Sequence, residues 1–379
     1  MSDSPQSAPK PERLVSLDLF RGLVMFLLIA EGAGVYQALL KMTNEDGLLH
    51  GFFTQFTHHP WHGLRFWDLI QPAFMFIVGV AMVYSVSKRF DKGDSWNTVF
   101  KHILVRCLIL LAFGTGLHCI YGGEMVLVLR NVLSQLSFTI LVTFLIIRLP
   151  WKQQLAISIG MILVADIAYR VFPVEGFNHA YTPDENFGTW VDNLLNNPMS
   201  SGHWVSVNAV STSAHTIWGS LIGQMLKGSL PAMKKFKVLI VTGVIGLAVG
   251  YLLDWGFGTE VLSIPIIKRI ATGSFVYASG GYCLLILAVF YYLIDIKGWK
   301  PSWFLIIQVV GMNSIFIYMT EQLLSGSWLR PNVNVFVNGI LGGIGFNAAW
   351  VQLITALVSW GILWYLCFWL YKRKIFLRI

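Results

Sequence analysis

The chain alternates between long apolar runs and shorter polar segments. Several of the apolar runs are roughly 20 residues long, the length at which an α-helix crosses the hydrocarbon core of a bilayer. The pattern predicts an all-α polytopic integral membrane protein with about ten transmembrane helices and no separate soluble domain. The predicted spans are 17–40, 66–87, 97–119, 129–149, 153–172, 208–227, 237–256, 271–295, 303–324 and 347–371.

Composition and charge support the membrane assignment. Of the 379 residues, 55% are hydrophobic and only 12% are charged, whereas a soluble domain carries about 25% charged residues. The net charge of +8 comes from basic residues that gather in short loops, and this is the distribution expected of cytoplasmic loops. It argues against a nucleic-acid-binding surface. With an even number of spans, we expect both termini in the cytoplasm.

The polar segments define the predicted domain organisation. Residues 1–12 are rich in Pro and Ser and lack the apolar region of a signal peptide, so we expect a disordered cytoplasmic tail. Residues 13–379 are expected to form a single transmembrane domain. Its segment 173–207 is the clearest external loop, which either covers a site or is a tolerated insertion. The external segments are 41–65, 120–128, 173–207, 257–270 and 325–346.

The strongest chemical pattern is the segment 58–62, which contains three histidines and shortly precedes Asp68 at the head of an apolar stretch. Ionisable groups at membrane depth are a functional-site hypothesis by default. His58 and His62 have the spacing of a helical zinc pair, but Pro60 disrupts a helix between them, and we expect no metal. Neutral imidazole suits a proton relay, a general base or a transiently acylated nucleophile. A purely structural interfacial loop is the alternative.

Polar and ionisable residues also occur within the predicted spans or just beyond them, mostly in the outer half of the membrane. Asp18 and Arg21 can pair on one helix face, either as a helix cap or as a cationic mouth for an anionic ligand. Glu31 lies deeper, where a carboxylate needs a partner or water. Together these residues predict a polar cavity open to the outside, although each alone also fits a structural role. The others are Asp68, His118, Arg130, Asp166, His215, Asp254, Lys268, Arg269, Asn313 and Glu321.

Short motifs follow one another along nearly the whole chain. They are Arg13-Leu14-Val15-Ser16-Leu17-Asp18-Leu19-Phe20-Arg21-Gly22, His58-x-x-Trp61-x-Gly63-Leu64 with Asp68-Leu69 and Pro72-x-Phe74-x-Phe76-Ile77-x-Gly79, Arg130-Asn131-Val132-Leu133-x-Gln135, Ala214-His215-Thr216-x-Trp218-Gly219, Pro265-Ile266-x-Lys268-Arg269-x-x-Thr272-x-Ser274-Phe275, and Gly311-Met312-Asn313-x-Ile315-Phe316-Ile317-Tyr318. Together they resemble the heparan-α-glucosaminide N-acetyltransferase family of transmembrane enzymes, in particular its bacterial, DUF5009-like members.

The resemblance implies an acetyl-CoA-dependent N-acetyltransferase of the bacterial inner membrane. It implies transfer of an acetyl group from cytoplasmic acetyl-CoA to the amine of a terminal glucosamine or related amino sugar on the external, periplasmic side. His58 matches the family's active-site histidine, and we expect it to act as general base or relay nucleophile. Glu31 stands where the family has an asparagine. We expect Glu31 and Asp68 to orient His58 or bind the amine, and Asn313 to polarise the thioester carbonyl.

The expected binding residues fall into two groups. Arginine forks match phosphate geometry, and the expected acetyl-CoA site comprises Arg13, Asp18, Arg21 and Arg106. The residues expected to bind the acceptor are Trp61, Arg130, His215, Lys268, Arg269 and Glu321. The expected partners are the lipid bilayer and an amino-sugar or glycosaminoglycan-fragment acceptor, with no nucleic acid. A homodimer is left open.

Two other functions fit the same sequence. A transporter with a central polar cavity would be supported by broken helices and paired repeats, and we find no strong repeat. An O-acyltransferase of envelope glycans would use the same histidine on a hydroxyl acceptor.

Overall fold

The computed structural model describes residues 14–197 and 199–377. Within these ranges the regular elements are helical, apart from an isolated antiparallel bridge between His62 and Ile267. The predicted tail and Arg13 lie outside the described residues. The α-helices are α1 (Val15–Gly32), α2 (Val35–Lys41), α3 (Leu48–Thr54), α4 (Ile70–Asp91), α5 (Trp96–Gly122), α6 (Val132–Ile146), α7 (Trp151–Val171), α8 (Phe187–Leu194), α9 (Asn208–Lys227), α10 (Ala232–Trp255), α11 (Gly273–Phe290), α12 (Phe304–Gly311), α13 (Ser314–Thr320), α14 (Arg330–Val337) and α15 (Ala348–Lys372). Short 3-10 helices occupy Phe66–Leu69 and Gly256–Gly258, and π-helical segments occupy Tyr291–Ile296, Glu321–Leu329 and Asn338–Gly342.

The all-helical class predicted from the sequence is confirmed, and each predicted span contains a helix or a helix pair. Among the described residues, six helices are long and apolar enough to cross a membrane, and two bent helix pairs raise the number to eight. Outside this set, α6 has only 15 residues and α9 carries many polar side chains. Ten spans, the single-domain organisation and the cytoplasmic position of both termini stay predictions.

Two candidate spans are sharply bent. α1 and α2 meet at 58°, and Gly34 between them has a φ of +83°, which glycine adopts without steric cost. α12 meets the following helix at 79°, beside Asn313. That helix continues from Ser314 to Gly342. Segment 325–346, which the hydropathy pattern predicts as an external loop, is therefore mostly helical.

The position of a proline explains how this long helix continues. A proline inside a regular α-helix removes one backbone hydrogen bond and clashes with the preceding turn. Pro331 instead stands in the first turn of α14, directly after the π-helical segment Glu321–Leu329. The first turn of a helix tolerates a missing N–H, so the chain passes from π-helical to α-helical geometry without a break.

The polar helix α9 is enclosed by α4, α6, α7 and α11. Its side chains form hydrogen bonds with these neighbours. Thr216 Oγ1 donates to Thr139 Oγ1 of α6 at 3.0 Å, and His215 Nε2 lies 2.9 Å from Ser279 Oγ of α11. Lipid is as apolar as the side chains of most membrane helices, so the hydrophobic effect does not drive such helices together. Interhelical hydrogen bonds of this kind help to hold them together instead. The enclosure therefore explains why α9 can lack the hydropathy of a single span.

Glycines bring the backbones of α4 and α9 into direct contact. A Cβ atom at Gly79 would collide with the carbonyl oxygen of Thr216, and one at Gly219 would collide with the carbonyl oxygen of Phe76. Small residues permit such close approach between membrane helices. This contact holds the middle of α4 against α9, and the candidate site lies at the N-terminal end of α4.

We expect Gly79→Ala to destabilise the detergent-solubilised protein, because the added methyl group meets rigid backbone. Overpacking of this kind costs roughly 1–3 kcal/mol. Gly160→Ala in α7 is the matched control, since nothing lies within 4 Å of its Cβ position. The measurement is the thermal midpoint followed by size-exclusion chromatography. Equal midpoints for the two variants would contradict the close α4–α9 contact.

Candidate active site

Asp68 is the anchor of the candidate site. It lies in the 3-10 turn directly before α4 and is only 1% exposed. Its Oδ2 accepts the backbone N–H groups of His59 at 3.1 Å and Arg65 at 3.0 Å. Its Oδ1 lies 2.8 Å from His58 Nδ1. These bonds fold the histidine loop over the start of α4 and hold the His58 ring.

Lys268 completes a cluster with His58 and Asp68. It lies in the connection between α10 and α11, is 5% exposed, and places Nζ 3.5 Å from Asp68 Oδ1 and 3.2 Å from His58 Nδ1. Backbone pairing brings it there, because the N–H of Gly63 donates to the carbonyl of Ile266 at 2.8 Å. Two segments far apart in the sequence thus form one charged cluster.

The hydrogen bonds assign the tautomer of His58. A carboxylate can only accept, so the Nδ1–H of His58 donates to Asp68. Lys268 can only donate, and it therefore pairs with the Asp68 carboxylate rather than with the protonated Nδ1. Nε2 is then the unprotonated ring nitrogen. Because the His58 side chain is 37% exposed, Nε2 is the nitrogen left for a ligand.

Electrostatics keep this imidazole neutral. Burial, together with the nearby charge of Lys268, lowers the pKa of His58 to about 4, and Asp68 opposes the shift. Burial also lowers the pKa of Lys268 to about 8, against the attraction of Asp68 and Glu31. At pH 7 the cluster therefore contains a neutral His58 and a largely charged Lys268. A neutral imidazole oriented by a carboxylate can act as a nucleophile or a base.

A cavity of about 310 Å³ lies beside His58, which is within the usual size of small-molecule sites. Glu31 stands in its wall and accepts the indole N–H of Trp67 at 3.0 Å. One part of the lining is apolar and consists of Leu28, Ile70, Phe74 and Val132. The polar and aromatic lining consists of Glu31, His58, Trp67, Gln71, His118, Arg130, Asn131, Ser200, Trp204, Lys268, Tyr318 and Gln322.

Trp204 brings the 173–207 segment into the site. Its ring centroid lies 5.5 Å from Lys268 Nζ and 5.4 Å from the Arg269 guanidinium carbon, both within cation–π range. The His58 ring meets Trp204 edge-on at 5.9 Å, and Arg269 donates to the carbonyl of Gly202. The sequence pointed to the segment but not to Trp204, because a tryptophan in a loop has no spacing that marks it.

Three side-chain amides, of which Gln135 and Asn208 are fully buried, connect the cluster to neighbouring helices. Gln71 donates to Gln135, the Gln135 side chain donates to Asn208 Oδ1 at 2.8 Å, and Asn208 Nδ2 donates to the Arg269 carbonyl at 3.2 Å. This chain links α4, α6 and α9 to the segment that carries Lys268. Sequence reasoning did not select Gln135 or Asn208 as site residues, since amides in apolar helices more often serve packing.

Several other predicted residues border the site. Arg130 lines the cavity and binds Asp192 through Nη2 at 3.0 Å. The Glu321 carboxylate packs against Gly32, the residue after Glu31. Trp61 does not line the cavity.

Trp61 instead ties the histidine loop to the external segment. Its indole N–H donates to the carbonyl of Tyr181 at 2.7 Å. His58 and His62 also do not share a ligand, because His62 Nε2 pairs with Asp254 at 2.8 Å. In the part of the chain that the structure describes, no group of three or more His, Cys, Asp or Glu is arranged to hold a metal.

The structure does not bring Asn313 or His215 to the cavity. Asn313 donates to the carbonyl of Ile375 at 3.1 Å and accepts the N–H of Leu377 at 2.8 Å, so its amide is engaged by the chain after α15. His215 lies between α9 and α11. The predicted roles of both residues stay predictions without support from this geometry.

The three expected acetyl-CoA residues that the structure describes, Asp18, Arg21 and Arg106, are also separate from the cavity lining. Asp18 and Arg21 form an ion pair of 2.9 Å near the start of α1. Arg106 lies in α5 with a buried Nε that has no hydrogen-bond partner among the described residues.

Comparison with known proteins supports the family suggested by the motifs. The chain is 22% identical to human heparan-alpha-glucosaminide N-acetyltransferase over an alignment 434 positions long, and 23% identical to the mouse protein over 436 positions. Each alignment covers 97% of this chain and 60% of the relative, so the chain spans about three-fifths of the length of the curated relatives it matches. No family model matches. The DUF5009-like subgroup stays a prediction.

We expect Lys268→Met to raise the pKa of His58, because the variant removes a neighbouring positive charge. The measurement is the rate at which diethyl pyrocarbonate modifies His58, resolved by peptide mass spectrometry, at pH 5 and pH 7.5. This reagent attacks only the neutral imidazole. The pH 5 rate, relative to pH 7.5, should fall roughly four- to tenfold, because a larger share of the ring is protonated at pH 5. An unchanged ratio would show that Lys268 does not act on His58.

Proposed function

We propose that this chain is a membrane acyltransferase that moves an acetyl group from acetyl-CoA to the amine of a terminal glucosamine or related amino sugar. The observation that carries the proposal is the neutral His58, held by Asp68 with Nε2 available to a cavity. The two relatives named above are N-acetyltransferases of a glucosaminide. Their activity is the basis for proposing an acetyl group as the group transferred and an amino sugar as the acceptor.

The low pKa of His58 favours a nucleophilic role over a general-base role. A base works best when its pKa is near the working pH, and a pKa of about 4 makes His58 a weak base at pH 7. A neutral imidazole nevertheless keeps its lone pair for attack. In this step Nε2 attacks the thioester carbonyl carbon, the carbon–sulfur bond breaks, and CoA leaves as a thiolate that takes up a proton.

Glu31 is suited to the second half of the reaction. A sugar ammonium has no lone pair, so it must lose a proton before the amine attacks the acetyl carbon and His58 leaves. Glu31 lies in the cavity wall with the indole N–H of Trp67 on one oxygen. Its carboxyl group can bind the ammonium and accept that proton. Lys268 stabilises the cluster by keeping Asp68 paired while His58 is acylated.

The two parts of the cavity lining suggest places for the two substrates. The apolar surface of Leu28, Ile70, Phe74 and Val132 can accommodate the thioester arm, while the charged side near Glu31 and Lys268 suits a polar sugar. We further propose that acetyl-CoA approaches from the cytoplasm and the acceptor from the periplasmic side of a bacterial inner membrane. Arg13, Arg21 and Arg106 stay the proposed phosphate ligands.

A transporter is the second candidate function, and the two bent helix pairs favour it. Substrate sites of many transporters lie at helix breaks. The two functions differ in a direct assay. Purified protein with acetyl-CoA should release free thiol when glucosamine is added, and a hydroxyl-only sugar separates amine from hydroxyl acceptors. Glucosamine uptake into vesicles without thiol release would instead favour the transporter.

We expect His58→Ala to abolish acetyl transfer, because the variant removes the imidazole that Asp68 orients beside the cavity. His59→Ala is the matched control, since it removes the neighbouring ring but keeps the backbone bond to Asp68. Its activity should stay within a few-fold of the native level. The measurement is transfer of radiolabelled acetyl to glucosamine. Equal losses in the two variants, or near-native turnover by His58→Ala, would refute the role of His58.

We expect Glu31→Gln to impair the acceptor half of the reaction selectively. The amide keeps the size of the side chain but loses the charge that binds an ammonium and accepts its proton. The KM for glucosamine should rise at least tenfold, while a burst of thiol release without acceptor should stay close to native. A loss of that burst, with an unchanged glucosamine KM, would place Glu31 on the donor side instead.

A further inference from the structure

The structure points to a new positioning device, which we name the clasp and define as the pair His62 and Asp254. We propose that the clasp holds Lys268 beside His58, and so sets the charge that acts on the reactive imidazole. Its consequence for catalysis rests on the function proposed above, but its effect on His58 does not. Neither residue lines the cavity, so the clasp acts through other groups.

The Asp254 carboxylate joins three elements at one point. Asp254 lies near the end of α10, and its Oδ1 lies 2.8 Å from His62 Nε2 and accepts the N–H of Ile266 at 2.7 Å. Ile266 is two residues before Lys268. One carboxylate oxygen therefore links the histidine loop, α10 and the segment that carries Lys268.

Backbone bonds continue the connection from the clasp to Lys268. The N–H of Gly63 donates to the Ile266 carbonyl, and His62 forms an antiparallel bridge with Ile267. These contacts hold the Lys268 segment alongside the loop that contains His58. Without the clasp, this register would depend on the backbone pairing, on the 3.5 Å contact between Lys268 and Asp68 and on the 3.5 Å bond from Arg269 to the His59 carbonyl.

The far side of the Lys268 segment is already held by other groups. Thr272 Oγ1 donates to the Pro265 carbonyl at 2.8 Å and accepts the N–H of Ile267 at 3.0 Å. Asn208 holds the Arg269 carbonyl. The clasp is therefore a side-chain tie between this closed loop and the histidine loop, beside the Gly63–Ile266 hydrogen bond and the bond from Arg269 to the His59 carbonyl. Its loss should move Lys268 relative to His58 rather than unfold the segment.

The simpler interpretation is an ordinary surface ion pair. His62 is 57% exposed at its side chain, and exposed pairs contribute little stability. The two interpretations differ in their effect on the titration of His58. A surface pair leaves the titration of His58 unchanged, whereas the clasp controls the distance of the Lys268 charge. The other charged groups that bear on the His58 ring are Asp68 and Arg269, and Arg65 holds the His58 carbonyl.

The test measures His58 modification by diethyl pyrocarbonate at pH 5 and pH 7.5 in full-length protein. We expect His62→Ala and Asp254→Ala to lower the pH 5 rate, relative to pH 7.5, by about the same roughly four- to tenfold as Lys268→Met. His62→Gln keeps a donor toward Asp254 and should restore the native ratio. His50→Ala is the matched control, because His50 bonds to Thr43 and not to this cluster.

The outcomes separate the clasp from the proposed function, since the modification assay needs no turnover. A native ratio in folded His62→Ala and Asp254→Ala, with a shift in Lys268→Met, would overturn the clasp. A native ratio in Lys268→Met would also overturn it, because Lys268 would then have no effect on His58 for the clasp to control. Absence of acetyl transfer in the native protein, with the expected ratios in the variants, would refute the function and leave the clasp supported.

Discussion

The negative charge of buried Asp68 is the constraint on which the site depends. A carboxylate removed from water is costly unless hydrogen bonds and an opposite charge compensate it. Here two backbone N–H groups, the His58 ring and Lys268 provide that compensation. Each of these partners comes from a loop that would otherwise have little reason to take its position. The two carboxylate oxygens of Asp68 therefore determine how the histidine loop and the α10–α11 connection are positioned beside the cavity.

The sequence predicted the helices and the ionisable residues of the site better than it predicted which groups these residues contact. Apolar runs located the helices, because burial in lipid demands a minimum length of apolar chain. His58, Glu31, Asp68 and Lys268 could be selected as ionisable groups at membrane depth, and they do converge. The same criterion selected Asn313, which bonds to the chain after α15 instead. Residue type reveals that a buried polar group needs a partner, but not which partner it finds.

Features that depend on long-range geometry were beyond sequence reasoning. Trp204 contacts the cluster because the 173–207 segment folds back toward Lys268. The residues next to Trp204 in the sequence do not predict the course of this segment. The hydropathy pattern ended this span at residue 324, whereas the helix continues from Ser314 to Gly342 through Gly326 and Pro331, residue types that are typical of helix ends and loops. Gly326 lies within the π-helical segment Glu321–Leu329, and Pro331 stands in the first turn of α14. The energetic reason for such turns lies in the tertiary packing rather than in local preference.

The enclosure of α9 bears on how the protein is made. A helix with so many hydroxyl and amide groups has little tendency to enter lipid on its own. Its hydrogen-bonding neighbours in α6 and α7, and its glycine contact in α4, precede it in the chain, whereas α11, which bonds to His215, follows it. The helices that precede α9 have already emerged from the ribosome when α9 is synthesised. The order of the helices thus lets earlier segments act as an intramolecular template, so that α9 meets protein rather than bare hydrocarbon during assembly.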